Sequence, residues 1–336
     1  MAQSSDELIK REIVDFFRNE VNGPDLRIFP QSSRDDQKNF SEGGLTFGVS
    51  GTLFGSCDAA WYEDGKWLDR NDGLTYSVRP VLALEATDAL SRGSSGNAQY
   101  QRFHHALGAV RNNVTGVYYF RKGPDKIQPD LFGMAVAASK IEKTPYVVTD
   151  DLALVKSLLR MRNSDNYFEY LSEVIIQMEK VFTDSFNHRY GSDWNEFARK
   201  RSTIIMDDKV IKYAARNVPN FTESSQRAGH IAVGEMYLTK YFFPEKTLFY
   251  LFPRMSQDDL NLLDRGKTTD KEWFLLRNEP GVEIKTIDDV KNLSESIRSS
   301  FLSIKSSPLK GDALKVYKTA VNLMYQEIDL GKARVV

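Results

Sequence analysis

Asp58 and Glu85 are the residues of this chain whose types and setting point most directly to chemistry. Asp58 lies in the segment Cys57-Asp58-Ala59-Ala60-Trp61-Tyr62, which runs into the hairpin-like turn Glu63-Asp64-Gly65-Lys66. Glu85 closes the apolar run Val81-Leu82-Ala83-Leu84. A carboxylate at the end of an apolar strand sits where burial stops and a cleft can begin. Two such acids on neighbouring strands can converge on one divalent cation. Magnesium suits that arrangement, because it takes a few carboxylate oxygens, keeps water, and leaves positions for a substrate phosphate. The plainer reading makes Asp58 a turn or sheet-edge charge and Glu85 a strand terminator.

The order of the pieces around these acids resembles the PD-(D/E)XK nuclease superfamily, and within it the type II restriction endonucleases. That pattern has an acidic residue in a hairpin strand and an apolar strand ending in Glu-x-Lys or a variant. A helix and an apolar strand with aromatics then follow. Here the corresponding text is Leu84-Glu85-Ala86-Thr87, then Gln99 to Val110, then Gly116-Val117-Tyr118-Tyr119-Phe120, so the resemblance covers about residues 45–122. It implies that Asp58 and Glu85 are ligands of Mg2+ and that Thr87 occupies the usual lysine position, making all three catalytic. In the family the lysine positions the attacking water and offsets developing negative charge. A threonine hydroxyl can orient water but is far too weak a base to deprotonate it, whereas a metal makes its bound water more acidic. Lys66, Arg92 and Arg102 are the candidate replacement cations, each with an ordinary solvated charge as its alternative. Glu12, on the first helix, and Asp88, directly after Thr87, are the candidate accessory acids.

For DNA contact the chain offers Arg92 in the turn Ser91-Arg92-Gly93-Ser94-Ser95-Gly96, and Arg227 and His230 in Ser224-Ser225-Gln226-Arg227-Ala228-Gly229-His230. Arginine, glutamine and serine are side chains that read base edges or phosphates. Arg199, Lys200 and Arg201 are consecutive in a stretch read as helical, where successive positions fan out by about 100°, so they cannot all face one phosphate. The same geometry keeps His104 and His105 from readily clasping one metal. Ser94-Ser95-Gly96 lacks the Lys-Ser/Thr of a phosphate loop, and no Gly-x-Ser-x-Gly or dinucleotide fingerprint occurs.

The elements that must position these residues read as α/β (α+β): a central mixed sheet flanked by helices, with a mainly helical second half. Strands are expected at 45–49, 52–61, 78–85, 114–120, 131–137, 146–148 and 246–252. Helices are expected from Ser4-x-x-Glu7 onward and over 98–111, 152–161, 167–186, 194–218, 222–242, 287–302 and 314–328. The expected division is 1–150, a nuclease-like core, and 151–336, a helical region for DNA recognition or dimerisation. The 336 residues are 41% hydrophobic, enough for a large core without staples. Their 45 Lys+Arg against 46 Asp+Glu exclude a binder driven by a highly basic chain but not one using local basic patches. A single cysteine excludes an intrachain disulfide and a cysteine-rich zinc site. No apolar run is long enough for a membrane span, and the polar start MAQSSDELIKRE has no signal-peptide core. The expectation is a cytoplasmic, magnesium-dependent, sequence-specific double-stranded DNA endonuclease, working as a homodimer on palindromic sites. The alternatives are a catalytically degenerate module of the same fold, binding nucleic acid or protein, and a non-specific repair or phage nuclease.

Overall fold

A computed structural model of the chain describes residues 5–19, 23–29, 45–49, 52–63, 79–88, 99–100, 102–121, 126–191, 203–205, 209–213, 227–252 and 278–286. The chain divides into two compact units, Met1–Thr183 and Asp184–Val336. The division falls after Thr183 and not near residue 150, because the helices beyond 150 bury their apolar faces in the first unit. The sulfur of Met178 accepts from the Val148 amide at 3.5 Å, and the Phe182 ring fills the space beside Gly133.

In the first unit, α1 (Ser5–Phe17) precedes β1 (Asp25–Ile28), the hairpin β2 (Leu45–Val49) and β3 (Thr52–Cys57), then β4 (Ala59–Tyr62) and β5 (Leu82–Thr87). Next come α2 (Phe103–Val110), β6 (Thr115–Phe120), α3 (Pro129–Glu142), β7 (Tyr146–Thr149), α4 (Leu152–Met161) and α5 (Tyr167–Tyr190). The central sheet has five strands in the order β1-β4-β5-β6-β7. β4 pairs antiparallel with both β1 and β5, whereas β5, β6 and β7 run parallel. It is therefore mixed, with helices against it. β5 and β7 are buried along their whole length, as their near-continuous apolar sequences require of parallel strands covered on both faces.

Two packing details set the site. Gly116 lets α2 press onto β6, since a Cβ there would lie 2.6 Å from the Ala106 carbonyl oxygen. On α1, Ile9, Ile13 and Phe17 form a buried stripe with helical spacing, and Phe17 meets the Trp61 ring edge-on at 5.1 Å.

Residues 131–137, expected as a strand, belong to α3. Pro129 starts that helix, Asp130 sits favourably in its first turn, and the segment from Leu131 to Ala138 is almost wholly buried. A helix buried on most sides loses the one-faced pattern that distinguishes it from a strand. The expected strand 52–61 is two strands, broken at Asp58, which carry the chain from the β2–β3 hairpin into the central sheet.

The second unit carries strands at residues 203–205 and 209–213, where a helix over 194–218 was expected. It holds a four-stranded sheet, β11-β10-β9-β8, made of β8 (Thr203–Ile205), β9 (Lys209–Tyr213), β10 (Thr247–Phe252) and β11 (Val282–Thr286). β-Branched residues dominate Thr203-Ile204-Ile205 and recur at Val210 and Ile211, and they favour pleated backbone over helix. α6 (Arg227–Phe242) accompanies the sheet and buries Val233, Met236 and Tyr237. The expected helices 287–302 and 314–328 lie outside the described residues. Among the described residues no helix is long and apolar enough to cross a membrane.

Candidate active site

Asp58 directly precedes β4, and its backbone joins both neighbouring strands. Its N–H donates to the Leu84 carbonyl at 2.9 Å and its carbonyl accepts from Phe29 at 2.8 Å. Glu85 sits within β5, opposite Tyr118 of β6. Both acids are buried, Asp58 at 7% and Glu85 at 1% exposure. Asp58 Oδ2 accepts a hydrogen bond from the Ala86 amide at 2.9 Å, so the first acid is tied to the residue beside the second. Burial, then the charge of Glu85, push the Asp58 carboxyl up to about 7, against the pull of Lys10, the Ala86 amide and Arg102. Both acids are poorly solvated, and their like charges raise the cost of ionising them together.

Three basic groups surround them. Arg102, just before α2, donates through one guanidinium nitrogen to Glu85 Oε1 and to the Ala86 carbonyl, both at 3.2 Å. His105 of α2 brings Nδ1 to 3.2 Å from the same Glu85 oxygen. From α1, Lys10 places Nζ 3.3 Å from Asp58 Oδ1. Lys10 and His105 were not among the residues expected here. Their signal in the sequence is a charge on a helix, the same as that of any solvated face.

Thr87 follows Glu85 by two residues and so shares its face of β5. It is 6% exposed, and its hydroxyl hydrogen-bonds the phenol of Tyr118. That phenol in turn donates to the Gln99 carbonyl at 2.8 Å. Gln99 itself clamps the chain ahead of α3, donating to the Lys126 carbonyl at 3.2 Å and accepting from the Gln128 amide at 2.8 Å.

The accessory acids separate. Glu12 accepts from the Tyr119 hydroxyl at 2.7 Å and from Arg121 at 3.0 Å. It lines a cleft of about 690 Å³ with Arg11, Asp15, Asp150 and Asp151, whose walls include neither Asp58 nor Glu85. Asp88 continues the chain beyond β5, half-buried. Lys66 and Arg92 lie outside the described residues. Arg227 and His230 fall on the first turns of α6, with their side chains outside what is described. Cys57 is buried, its thiol pushed well up by burial and by the two acids, which makes it a poor nucleophile.

The donors present fit a hard divalent cation in type: two buried carboxylates and the Ala86 carbonyl, all oxygen, with Lys10 and Arg102 balancing the two negative charges. Among the described residues no group of three or more His, Cys, Asp and Glu side chains is arranged to hold a metal. Protein ligation at this spot would rest on two acids plus backbone and water, which suits magnesium better than zinc. Comparison with family models, with curated proteins and with solved structures returns no match to this chain.

Proposed function

We propose that this protein is a magnesium-dependent double-stranded DNA endonuclease of the PD-(D/E)XK type, acting as a type II restriction enzyme. The observation that carries the reading is the Asp58–Ala86 hydrogen bond, which ties one buried carboxylate to the residue beside the other. The order of acidic strand, Glu85 strand, helix and parallel aromatic strand supports it, because it is the order the family resemblance implies.

In this reading Asp58, Glu85 and the Ala86 carbonyl hold the metal. When bound, the metal supplies charge to polarise a phosphoryl oxygen and to make water more acidic. Water oxygen bonds to phosphorus as the bond from phosphorus to the 3′ oxygen breaks. One water proton passes to solvent and the leaving 3′ oxygen takes one up, giving a 5′ phosphate and a 3′ hydroxyl. Arg102 anchors Glu85 and the Ala86 carbonyl from α2. Thr87, held by Tyr118, presents a hydroxyl on the same strand face that can orient water.

Digestion of a fully sequenced DNA with and without magnesium tests the proposal. Discrete bands that need the metal support it, a smear points to a non-specific nuclease, and intact DNA refutes it. A cytoplasmic location and a homodimer matching palindromic sites belong to the same proposal. One observation favours a second reading, a module that binds without cutting: Thr87 replaces the lysine, and Lys10 and Arg102 already neutralise the acids. Salt-sensitive DNA binding without cleavage in magnesium or manganese would establish that alternative.

A further inference from the structure

The β5 strand carries no lysine after Glu85, yet a lysine stands at the acids. Lys10 is the residue after Ile9 on α1, beside the stripe formed by Ile9, Ile13 and Phe17. Its side chain is 12% exposed, and Nζ lies 3.3 Å from Asp58 Oδ1. Stability alone gives weak reason for this. Desolvating an ammonium and a carboxylate costs about as much as their attraction returns, and an apolar pair of similar size often serves a fold as well or better. The position is chemically apt. An ammonium has three donors on a flexible four-carbon stem, so it can leave one oxygen and donate to another nearby. Arg102 is less mobile in this respect, being held at once to Glu85 and to the Ala86 carbonyl.

We propose that Lys10 is the site's catalytic cation, delivered by the first helix instead of by the Glu85 strand. It pairs with Asp58 Oδ1 in the metal-free protein and yields that oxygen when a divalent cation binds. It then donates to a phosphoryl oxygen of bound DNA or to the attacking water. This role rests on the nuclease reading and assigns within it the charge that Thr87 cannot provide. It predicts two effects of opposite sign from one substitution, which a merely structural lysine would not produce.

The experiment uses the full chain. Calorimetric titration with Mn2+ alone is paired with cleavage of sequenced DNA at saturating metal, for the wild type, Lys10→Met and Lys10→Arg. At a pH where Asp58 is ionised in all three proteins, Lys10→Met should bind Mn2+ about fivefold more tightly, because no ammonium competes for Oδ1. It should nevertheless cleave roughly 100-fold more slowly, because a preorganised charge is missing where negative charge develops. Lys10→Arg, which keeps the charge and guards against a folding defect in the methionine variant, should recover part of the cleavage with near wild-type Mn2+ affinity. Wild-type cleavage by Lys10→Met overturns this inference and leaves the nuclease reading standing. So does Mn2+ affinity that falls together with cleavage, or a folded Lys10→Arg no more active than Lys10→Met. A wild type that binds Mn2+ and cuts no DNA overturns the nuclease reading and this role with it.

Discussion

Asp58 Oδ2 accepts the amide proton of Ala86 at 2.9 Å, so the acid before β4 is locked to the strand that carries Glu85. The lock brings a cost. Burial and Glu85 raise the Asp58 carboxyl from 3.8 to about 7 in the folded chain. A raised acid favours its neutral form, so its stabilising contribution is complete below about pH 4 and is lost as pH rises through about 7. In EDTA the unfolding free energy should therefore fall between about pH 4 and pH 7, with a slope of at most about 1.4 kcal/mol per pH unit from this group. Asp58→Ala should flatten that slope, and saturating magnesium should offset it by favouring the ionised form. Equal pH profiles for wild type and Asp58→Ala would contradict the assigned electrostatics.

The acids themselves give the most direct activity test. Asp58→Ala and Glu85→Ala should each abolish cleavage while DNA binding persists, because binding draws mainly on phosphate contacts elsewhere. Circular dichroism should show a folded chain in both cases. Full cleavage by Glu85→Ala in magnesium would end the site assignment.

Arg102 is expected to matter for stability as well as chemistry. Glu85 is 1% exposed, and removing a partner from a buried carboxylate leaves charge uncompensated. Arg102→Ala should cost about 2–3 kcal/mol, and much less in a Glu85→Gln background, giving a coupling of about 1 kcal/mol or more. Denaturant titration of the four proteins measures it. Additive losses would mean that the guanidinium acts independently of Glu85.

Much of this site is legible in local sequence. Glu85 ends an apolar run, and that run is a buried strand; Asp58 precedes a segment of four buried residues, Ala59 to Tyr62. Strand character follows from side-chain type, so the segments that carry the two acids can be placed without a structure; burial, expected to stop at Glu85, continues through Ala86 and Thr87. Lys10 and His105 cannot be found that way. Each is a polar residue on an amphipathic or buried helix, and only the packing of α1 and α2 around β4 and β5 turns it toward a carboxylate. The opposite limit appears at Leu131-Phe132-Gly133-Met134-Ala135-Val136-Ala137, where burial on nearly all sides erases the period that separates helix from strand. Glu12 shows a third limit. Its helix is correctly placed, but its side chain is held by Tyr119 and Arg121.

Close packing of α2 on β6 gives a stability prediction independent of any activity. A side chain at position 116 would drive into the Ala106 carbonyl oxygen at 2.6 Å and Val110 Cγ2 at 2.7 Å. The first is backbone and cannot turn aside, so α2 would have to lift. Because α2 carries His105 and follows Arg102, Gly116→Val should destabilise by about 1–3 kcal/mol and also loosen the contacts to Glu85. Chemical denaturation reads the first effect, and a smaller coupling between Arg102→Ala and Glu85→Gln in the Gly116→Val background reads the second. A variant as stable as the wild type would show that the helix has room to move.

Moving the site's cation from one element to another tests the geometry most severely. Thr87 shares the Glu85 face of β5, and its hydroxyl engages Tyr118 in a buried setting. Thr87→Val should keep most of the activity, since it removes an orienting hydroxyl and no charge. Thr87→Lys should remain partly active but lose about 1–3 kcal/mol of stability, because a longer side chain must enter a packed space. The informative protein is the double variant Lys10→Met, Thr87→Lys. If a positive charge beside the two acids is what cleavage requires, returning it on the Glu85 strand should restore at least about tenfold over Lys10→Met alone, a modest part of what a preorganised charge is worth. Steady-state cleavage of one sequenced DNA, with melting temperatures taken in parallel, decides it. A folded double variant no faster than Lys10→Met would show that the charge at residue 10 acts from a place β5 cannot reach.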